Sequence, residues 1–178
     1  AHQDHGSTAW SNLMEPGIKL ASNGFKISGR MAAAIAGATT DLRRDPEAAA
    51  YFLNPDFSAK ALGTPITNPA YADTLRLLAA GGANALYTGP IAQSIVEKAG
   101  VTSGNTATGT VAITPSLMTL RDLRDYQAIR RTPVCASYRS AVICGMGPPS
   151  SGGIAVAQTL GMLESFDLSA ANFRSSAL

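Results

Sequence analysis

The sequence predicts an α+β fold made mainly of helices plus one β-hairpin. Three observations support this prediction. Apolar residues recur at helical spacing in several segments, proline after asparagine or aspartate marks helix starts, and β-favouring residues surround two cysteines. No internal repeat and no compositional break is present, so we expect residues 1–178 to form a single partial domain without an internal boundary.

The helices follow from apolar periodicity and from residues that begin or end helices. In the first one, at residues 10–21, we expect Ser7 or Thr8 as the cap, a kink or division at Pro16, and an end at Asn23-Gly24. Further helices are expected at residues 29–43, after Asp45-Pro46, from Asn68-Pro69 to Gly81-Gly82, at 83–88, at 90–98, after Thr119 and from Gly153 to Phe166. The remaining segments are a small hairpin around Asn54-Pro55-Asp56 and a polar loop at 101–116 with a candidate strand at 110–114.

Composition excludes a membrane span and disfavours a nucleic-acid partner. Hydrophobic residues make up 46% of the chain, but no apolar run approaches the ~20 residues that a membrane-spanning helix needs. The 14 Lys and Arg residues are scattered and the net charge is +2, whereas nucleic-acid binding needs a concentrated basic face. The chain starts without Met and without a signal-peptide pattern, so we expect the natural N-terminus to lie upstream.

The two cysteines predict a disulfide. If Arg139 and Ser140 form the turn of a hairpin, Cys135 faces Cys144 in a non-hydrogen-bonded pair. Such pairs have Cα atoms ~4.5 Å apart, which is at the short end of what a disulfide spans. A disulfide would place the protein in an oxidising compartment, the periplasm or outside the cell. The alternative is two reduced, buried cysteines on neighbouring strands.

The loop "PPSSGG" follows this hairpin and has three interpretations. It consists of Pro148, Pro149, Ser150, Ser151, Gly152 and Gly153. It lacks the lysine of a P-loop and the glycine spacing of a dinucleotide fingerprint, although a helix N-terminus can still bind an anion. A serine nucleophile would need Gly-x-Ser-x-Gly and a partner histidine. In the structural interpretation, the prolines end the strand, a serine caps the next helix and the glycines permit close packing.

Other candidates for chemistry are sparse. The only histidines, His2 and His5, stand with Asp4 in "HQDH" at the start of the chain, where exposure to solvent is expected rather than metal binding. Acidic residues in "LRDLRDY" have basic neighbours, which is typical of a solvated helix face. We therefore predict no metal site, no cofactor and no complete catalytic constellation in this chain.

Three stretches resemble the large subunit of the γ-glutamyltransferase (γ-glutamyl transpeptidase) family. They are "WSNLMEPGIKLASNGFKIS", "NPAYADTLRLLAAGGANALYTGPIAQSIVEKAG" and "MTLRDLRDYQAIRRTPVCASYRSAVICGMGPPSSGGIAVAQTLGMLESFDL". Their order and spacing match the family over about residues 6 to 168, and the Pro-Pro-Ser-Ser-Gly-Gly loop is the most recognisable motif. The chain departs from the family at Ser140, where glycine is usual, at Gly147, where a third proline is common, and in the longer "SGNTATGTVAITPS".

The resemblance implies an N-terminal-nucleophile hydrolase, an αββα sandwich to which this chain supplies mainly helices plus a β-hairpin. Such a precursor cleaves itself, and the threonine exposed at the start of the small subunit attacks the γ-carbonyl of a donor such as glutathione. Water, an amino acid or a peptide then accepts the γ-glutamyl group. The family's threonine lies downstream of Leu178 and its donor-binding arginine upstream of Ala1, so the resemblance places no catalytic residue in this chain.

Three hypotheses about function remain open at this stage. The first is the large-subunit part of a γ-glutamyltransferase-like enzyme, inactive without its small subunit. The second is a cephalosporin or glutaryl acylase of the same superfamily, which shares the scaffold but takes another acyl group. The third is a non-catalytic scaffold fragment that binds a partner chain.

Overall fold

The computed structural model describes residues 1–169, and the contacts between residues divide the chain after Tyr126. The two parts are Ala1–Tyr126, called the N-terminal unit below, and Gln127–Leu178, called the C-terminal unit. No change in amino-acid composition along the sequence marks this boundary between the two units. The prediction of a single partial domain stays a prediction, since two compact units can belong to one domain.

Helices make up most of the N-terminal unit, as predicted. They are α1 His2–His5, α2 Trp10–Asn23, α3 Gly29–Gly37, α4 Thr39–Leu42, α5 Pro46–Phe52, α6 Pro69–Gly81, α7 Asn84–Tyr87, α8 Gly89–Ala99 and α9 Leu120–Arg124. Two pairs of short antiparallel strands connect them: β1 Phe25–Lys26 with β2 Pro65–Ile66, and β3 Ser103–Asn105 with β4 Thr110–Ala112.

Several helix ends lie where their sequence signals predict. Asp45 and Asn68 each accept a hydrogen bond from the backbone N–H three residues ahead, and a proline follows each of them in the first turn. Thr119 and Asp122 form a reciprocal capping box at the start of α9. Helix α2 ends before Gly24, whose φ of 85° lies in the left-handed region that glycine tolerates best.

Three local predictions are wrong. Ala9, rather than Ser7 or Thr8, stands at the N-cap of α2, and no side chain caps this helix. Helix α2 also continues through Pro16, so the predicted division there is wrong, while the alternative of a kink stays a prediction. The predicted helix over residues 29–43 breaks at Ala38, because Gly37 and the β-branched threonines after it favour helix poorly.

The core of the N-terminal unit joins the β1–β2 pair to the helices on either side of it. Its buried residues are Ile27, Ile35, Leu53 and Ile66. Around it, helices α2 and α6 pack so closely that a Cβ at Gly17 would lie 3.1 Å from Leu75 Cδ1. The Trp10 indole N–H donates to the Leu78 carbonyl at 2.7 Å, which fixes the start of α2 against α6.

The C-terminal unit has a simpler architecture. Strands β5 Val134–Tyr138 and β6 Ala141–Gly145 form an antiparallel hairpin, and helix α10 Gly152–Leu163 follows. The chain is thus α+β, with helices and small antiparallel sheets, as the sequence predicts. Within residues 1–169, no helix has both the length and the apolar character needed to cross a bilayer.

Candidate functional site

The cysteine hairpin has the predicted register. Tyr138 pairs with Ala141, which makes Arg139 and Ser140 the turn, and Cys135 pairs with Cys144. The two cysteines form a disulfide, and their Cα atoms are 4.1 Å apart. Both cysteines are exposed, so the alternative of two reduced, buried cysteines is wrong. The bridge therefore ties the strands together at the surface of the C-terminal unit.

The turn of the hairpin is tied to the residues that follow α10. Arg139 N–H donates to the Glu164 carboxylate, at 3.1 Å to Oε1, and its guanidinium donates to the Phe166 carbonyl at 2.9 Å. The sequence pattern predicts Arg139 in the turn but gives no signal for either partner. The left-handed φ of 53° falls on Arg139 and not on Ser140, so the second turn position does not require glycine.

The predicted close packing by glycines is present at the other end of the hairpin. A Cβ at Gly145 would lie 2.6 Å from Gly153 Cα, and a Cβ at Gly153 would lie 2.4 Å from the Met146 carbonyl oxygen. Real side chains do not fit at such distances. Helix α10 is thus held along the hairpin by backbone contact at its start and by the Arg139 hydrogen bonds at its end.

The serine cap predicted for this helix is wrong. Ser151 stands at the N-cap of α10, but its hydroxyl makes no capping hydrogen bond. Its φ of −84° and ψ of −18° are helical, whereas a capping side chain needs an extended backbone at that position. The helix begins at Gly152, one residue earlier than predicted. The preceding Pro148–Pro149 peptide bond is cis.

The described residues of the C-terminal unit include no histidine that could activate the serines of the loop. The sequence has two histidines, and both belong to the N-terminal unit. There His2 Nε2 lies 2.8 Å from the Thr8 carbonyl oxygen, and its ring packs edge-on against Trp10. Across residues 1–169, no group of three or more His, Cys, Asp or Glu side chains could hold a metal ion. What the structure shows for the loop is close backbone packing of Gly153, at the start of α10, against the end of the hairpin.

The main charged cluster of the N-terminal unit joins two helices. Lys98, near the end of α8, contacts Asp45 Oδ2 at 2.5 Å and Glu47 Oε2 at 2.8 Å, at the start of α5. The pKa of Asp45 is lowered mainly by the hydrogen bond that Lys98 donates to it. The same hydrogen bond is the main reason that the pKa of Lys98 is raised. These charges stabilise the contact between α5 and α8.

The C-terminal unit exposes many apolar side chains. No residue of α10 is buried, although its sequence is mainly apolar. The exposed apolar side chains of the unit include Val142, Met146, Ile154, Val156, Met162 and Phe166. Met162 and Val142 are each 68% exposed, which is unusual for side chains of this kind and typical of surfaces that other polypeptide covers.

Comparison with known proteins identifies the relatives of this chain. The acylase ACY 1 proenzyme of Pseudomonas sp. (strain V22) is 32% identical over 170 residues, which cover 96% of this chain and 28% of that protein. The glutathione hydrolase proenzyme of Arthroderma benhamiae is 31% identical over 153 residues, covering 85% of this chain and 24% of that protein. The chain thus spans about a quarter of the length of these curated relatives.

A solved structure and a family model point to the same family as these relatives. The crystal structure of Helicobacter pylori gamma-glutamyltranspeptidase is similar with a TM-score of 0.81 and 30% identity, over 98% of this chain and 47% of that chain. This similarity confirms the predicted fold class, that of N-terminal-nucleophile hydrolases, to which the chain supplies helices and a hairpin. The sequence pattern of the family matches residues 1–177. The chain belongs to the gamma-glutamyltranspeptidase family.

Proposed function

We propose that this chain is the large-subunit part of a γ-glutamyltransferase-like enzyme. The enzyme transfers or hydrolyses the γ-glutamyl group of glutathione and related donors. The observation that carries the proposal is the family match over residues 1–177, together with relatives named glutathione hydrolase proenzyme. The word proenzyme in these names supports a precursor that is cleaved into two chains.

The proposed chemistry takes place on a small subunit that begins with threonine. The threonine Oγ attacks the γ-carbonyl carbon of the donor while the α-amino group of the same residue accepts the hydroxyl proton. Backbone N–H groups stabilise the oxyanion, the C–N bond breaks, and the proton moves to the leaving amine. Water or an amino-acid or peptide acceptor then attacks the γ-glutamyl ester and regenerates the threonine.

Two features of the described residues support the scaffold role. His2 and His5 are the histidines of the described residues and stand far in the sequence from the loop serines, which supports a nucleophile and a base that come from elsewhere. The exposed apolar side chains of the C-terminal unit are suited to burial against further polypeptide, since leaving such side chains in water is unfavourable. The proposed small subunit would supply the catalytic groups and would also cover these apolar side chains.

A second candidate function is that of an acylase. It is favoured by the 32% identity to a protein named acylase ACY 1 proenzyme. A glutaryl group differs from a γ-glutamyl group only by lacking the α-amino group. The two functions are therefore separated by whether the enzyme requires that ammonium on its substrate.

The experiment that tests the proposal uses the mature protein, expressed as its complete precursor. It compares the rates at which this protein releases aniline from two anilides. We expect fast release of aniline from the γ-glutamyl anilide and slow release from the glutaryl anilide. The reverse preference would establish the acylase function instead. A preparation with no second chain beginning with threonine, and no release from either anilide, would contradict both and support a non-catalytic scaffold.

For localisation we propose the periplasm or secretion. The Cys135–Cys144 disulfide supports this proposal, because disulfides persist mainly in oxidising compartments. Fractionation of cells that express the complete precursor would test it, with a cytoplasmic location of the mature protein as the contradicting result.

A further inference from the structure

An open cavity lies in the N-terminal unit, away from the hairpin and its loop in the sequence. It has a volume of about 640 Å³, within the range of roughly 300–1,000 Å³ found for small-molecule sites. Its apolar wall includes Pro46 and Ala49 of α5 and the Leu53 side chain. Its basic side chains are Arg43 and Lys60, and no acidic residue lines it. The cavity therefore combines an apolar wall with two positive charges.

Arg43 is held in place by the turn that follows α5. Its guanidinium lies 5.1 Å from the centre of the Phe57 ring, and its Nη2 donates to the Phe57 carbonyl at 3.3 Å. Phe57 adopts a left-handed φ of 62°, which is a rare conformation for an aromatic residue. This strained turn presents both the ring and the carbonyl to the guanidinium, so the cation is ordered before any ligand arrives.

The charge of Arg43 is not matched by a direct carboxylate contact. No ion pair within 4.0 Å involves Arg43 in the part of the chain that the structure describes, and its buried Nε has no hydrogen-bond partner there. The nearby Asp56 carboxylate instead accepts hydrogen bonds from the Ser58 N–H at 2.9 Å and the Ser58 hydroxyl at 2.6 Å. Apart from the Nη2 bond to the Phe57 carbonyl, the Nη groups of Arg43 have no carboxylate within 4.0 Å among the described residues, so their remaining donors can bind an anion.

Lys60 supplies the second charge. Its Nζ donates to the carbonyls of Ala50 and Tyr51, at 2.9 Å and 2.7 Å, which fixes the ammonium at the end of α5. An ammonium has three donors, so one N–H remains. Asn105 and Thr106 complete the polar part of the lining.

We propose that this cavity binds a small organic anion, a carboxylate carried on a short apolar body. The Arg43 guanidinium and the Lys60 ammonium bind the carboxylate, and the wall formed by Pro46, Ala49 and Leu53 receives the apolar body. The proposal is independent of the γ-glutamyl chemistry above, because it uses only residues of the N-terminal unit and needs no threonine nucleophile.

The test is a titration of the full chain with sodium hexanoate, followed by the backbone amide signals of Phe57, Asn105 and Thr106 in NMR spectra. We expect saturable shifts at these three residues. The neutral analogue hexanamide, which keeps the apolar body, should cause none. Inorganic phosphate serves as the second anion, and stronger binding of phosphate than of hexanoate would overturn the apolar part of the assignment.

Two variants test the role of Arg43. Arg43→Gln should weaken hexanoate binding about tenfold or more, since it removes a charge-assisted contact. Arg43→Lys keeps a charge but loses the planar donors, so it should bind with intermediate affinity. Arg30→Gln, on the exposed face of α3, is the matched control and should bind like the parent chain. Equal affinity in Arg43→Gln and Arg30→Gln, or no shift at the three amides, would overturn the proposal.

Discussion

Gly145 and Gly153 bring the backbone of β6 into direct contact with the first turn of α10. A Cβ on Gly145 would stand 2.6 Å from the Cα of Gly153, so neither position has room for a side chain. At the far end of the helix, Glu164 accepts the Arg139 N–H hydrogen bond. Helix and hairpin are thus joined at both ends, while the exposed side of α10 keeps its apolar side chains in solvent.

The glycine contact predicts a sharp difference between two alanine variants of the same helix. Gly153→Ala should lower the free energy of unfolding by about 1–3 kcal/mol, because the new methyl group would meet the Met146 carbonyl oxygen at 2.4 Å. A Cβ at Gly161 would meet no atom within 4 Å. Gly161→Ala should therefore raise the free energy of unfolding by up to about 1 kcal/mol, since alanine favours helix. Urea unfolding of both variants measures the difference, and equal stabilities would contradict the contact.

The disulfide should stabilise the hairpin mainly by restricting the unfolded chain. It closes a loop with a sequence separation of 9, for which chain entropy predicts about 2–3 kcal/mol. The double variant Cys135→Ala, Cys144→Ala should lose that amount, because both side chains are exposed and contribute little packing. Ser137→Ala on the same strand is the control and should change stability by less than about 0.5 kcal/mol. A parent chain whose mass does not rise by two hydrogen atoms on reduction would contradict the bridge.

The Asp45–Lys98 pair predicts how stability depends on pH. The pKa of Asp45 is lowered below its ordinary value of 3.8, mainly by the hydrogen bond from Lys98, so its contribution is complete above that value and is lost as the pH falls through the lower folded pKa. The pKa of Lys98 is raised above 10.5, so its contribution is lost only as the pH rises beyond that value.

A variant that keeps the helix cap can isolate this ion pair. Asn also caps helices well, so Asp45→Asn should lose only the ion pair, about 1 kcal/mol or less at neutral pH. Its unfolding free energy should also fall less steeply below pH 3.8 than that of the parent chain. Thermal unfolding across the acid range checks this, and parallel curves for variant and parent would show that Asp45 does not contribute.

The indole hydrogen bond of Trp10 should hold α2 against α6. Trp10→Phe keeps an aromatic ring but leaves the Leu78 carbonyl without its side-chain donor, so we expect a loss of about 1 kcal/mol. Tyr71→Phe on α6 is the control, because Tyr71 is 54% exposed and its change should be nearly neutral. Similar losses for both variants would contradict a specific role of the indole N–H.

Sequence patterns predicted the elements that local chemistry determines. The turn at Arg139-Ser140 follows from two β-favouring segments of matched length, and it determines that Cys135 faces Cys144. Asp45-Pro46 and Asn68-Pro69 start helices because the cap and the proline act within one turn. These interactions span only a few residues, so the sequence alone contains what is needed to predict them.

Tertiary contacts determine the features that were missed. The pairing of Phe25 with Ile66 joins two-residue strands, which are too short to show an alternating pattern. Arg139 is hydrogen-bonded to Glu164 and Phe166 because α10 packs along the hairpin, and residues so far apart in the sequence give no local signal of this contact. Ser151 fails as a cap because the backbone there is already helical, which residue preference cannot reveal.

As proposed above, this chain contributes the scaffold of a γ-glutamyl enzyme and a small subunit contributes the nucleophile. The most direct test is aniline release from a γ-glutamyl anilide by the chain alone and by the two-chain complex formed from its complete precursor. We predict no release by the chain alone and release by the two-chain complex. Release by residues 1–178 alone, or none by a complex that contains the threonine chain, would contradict the account.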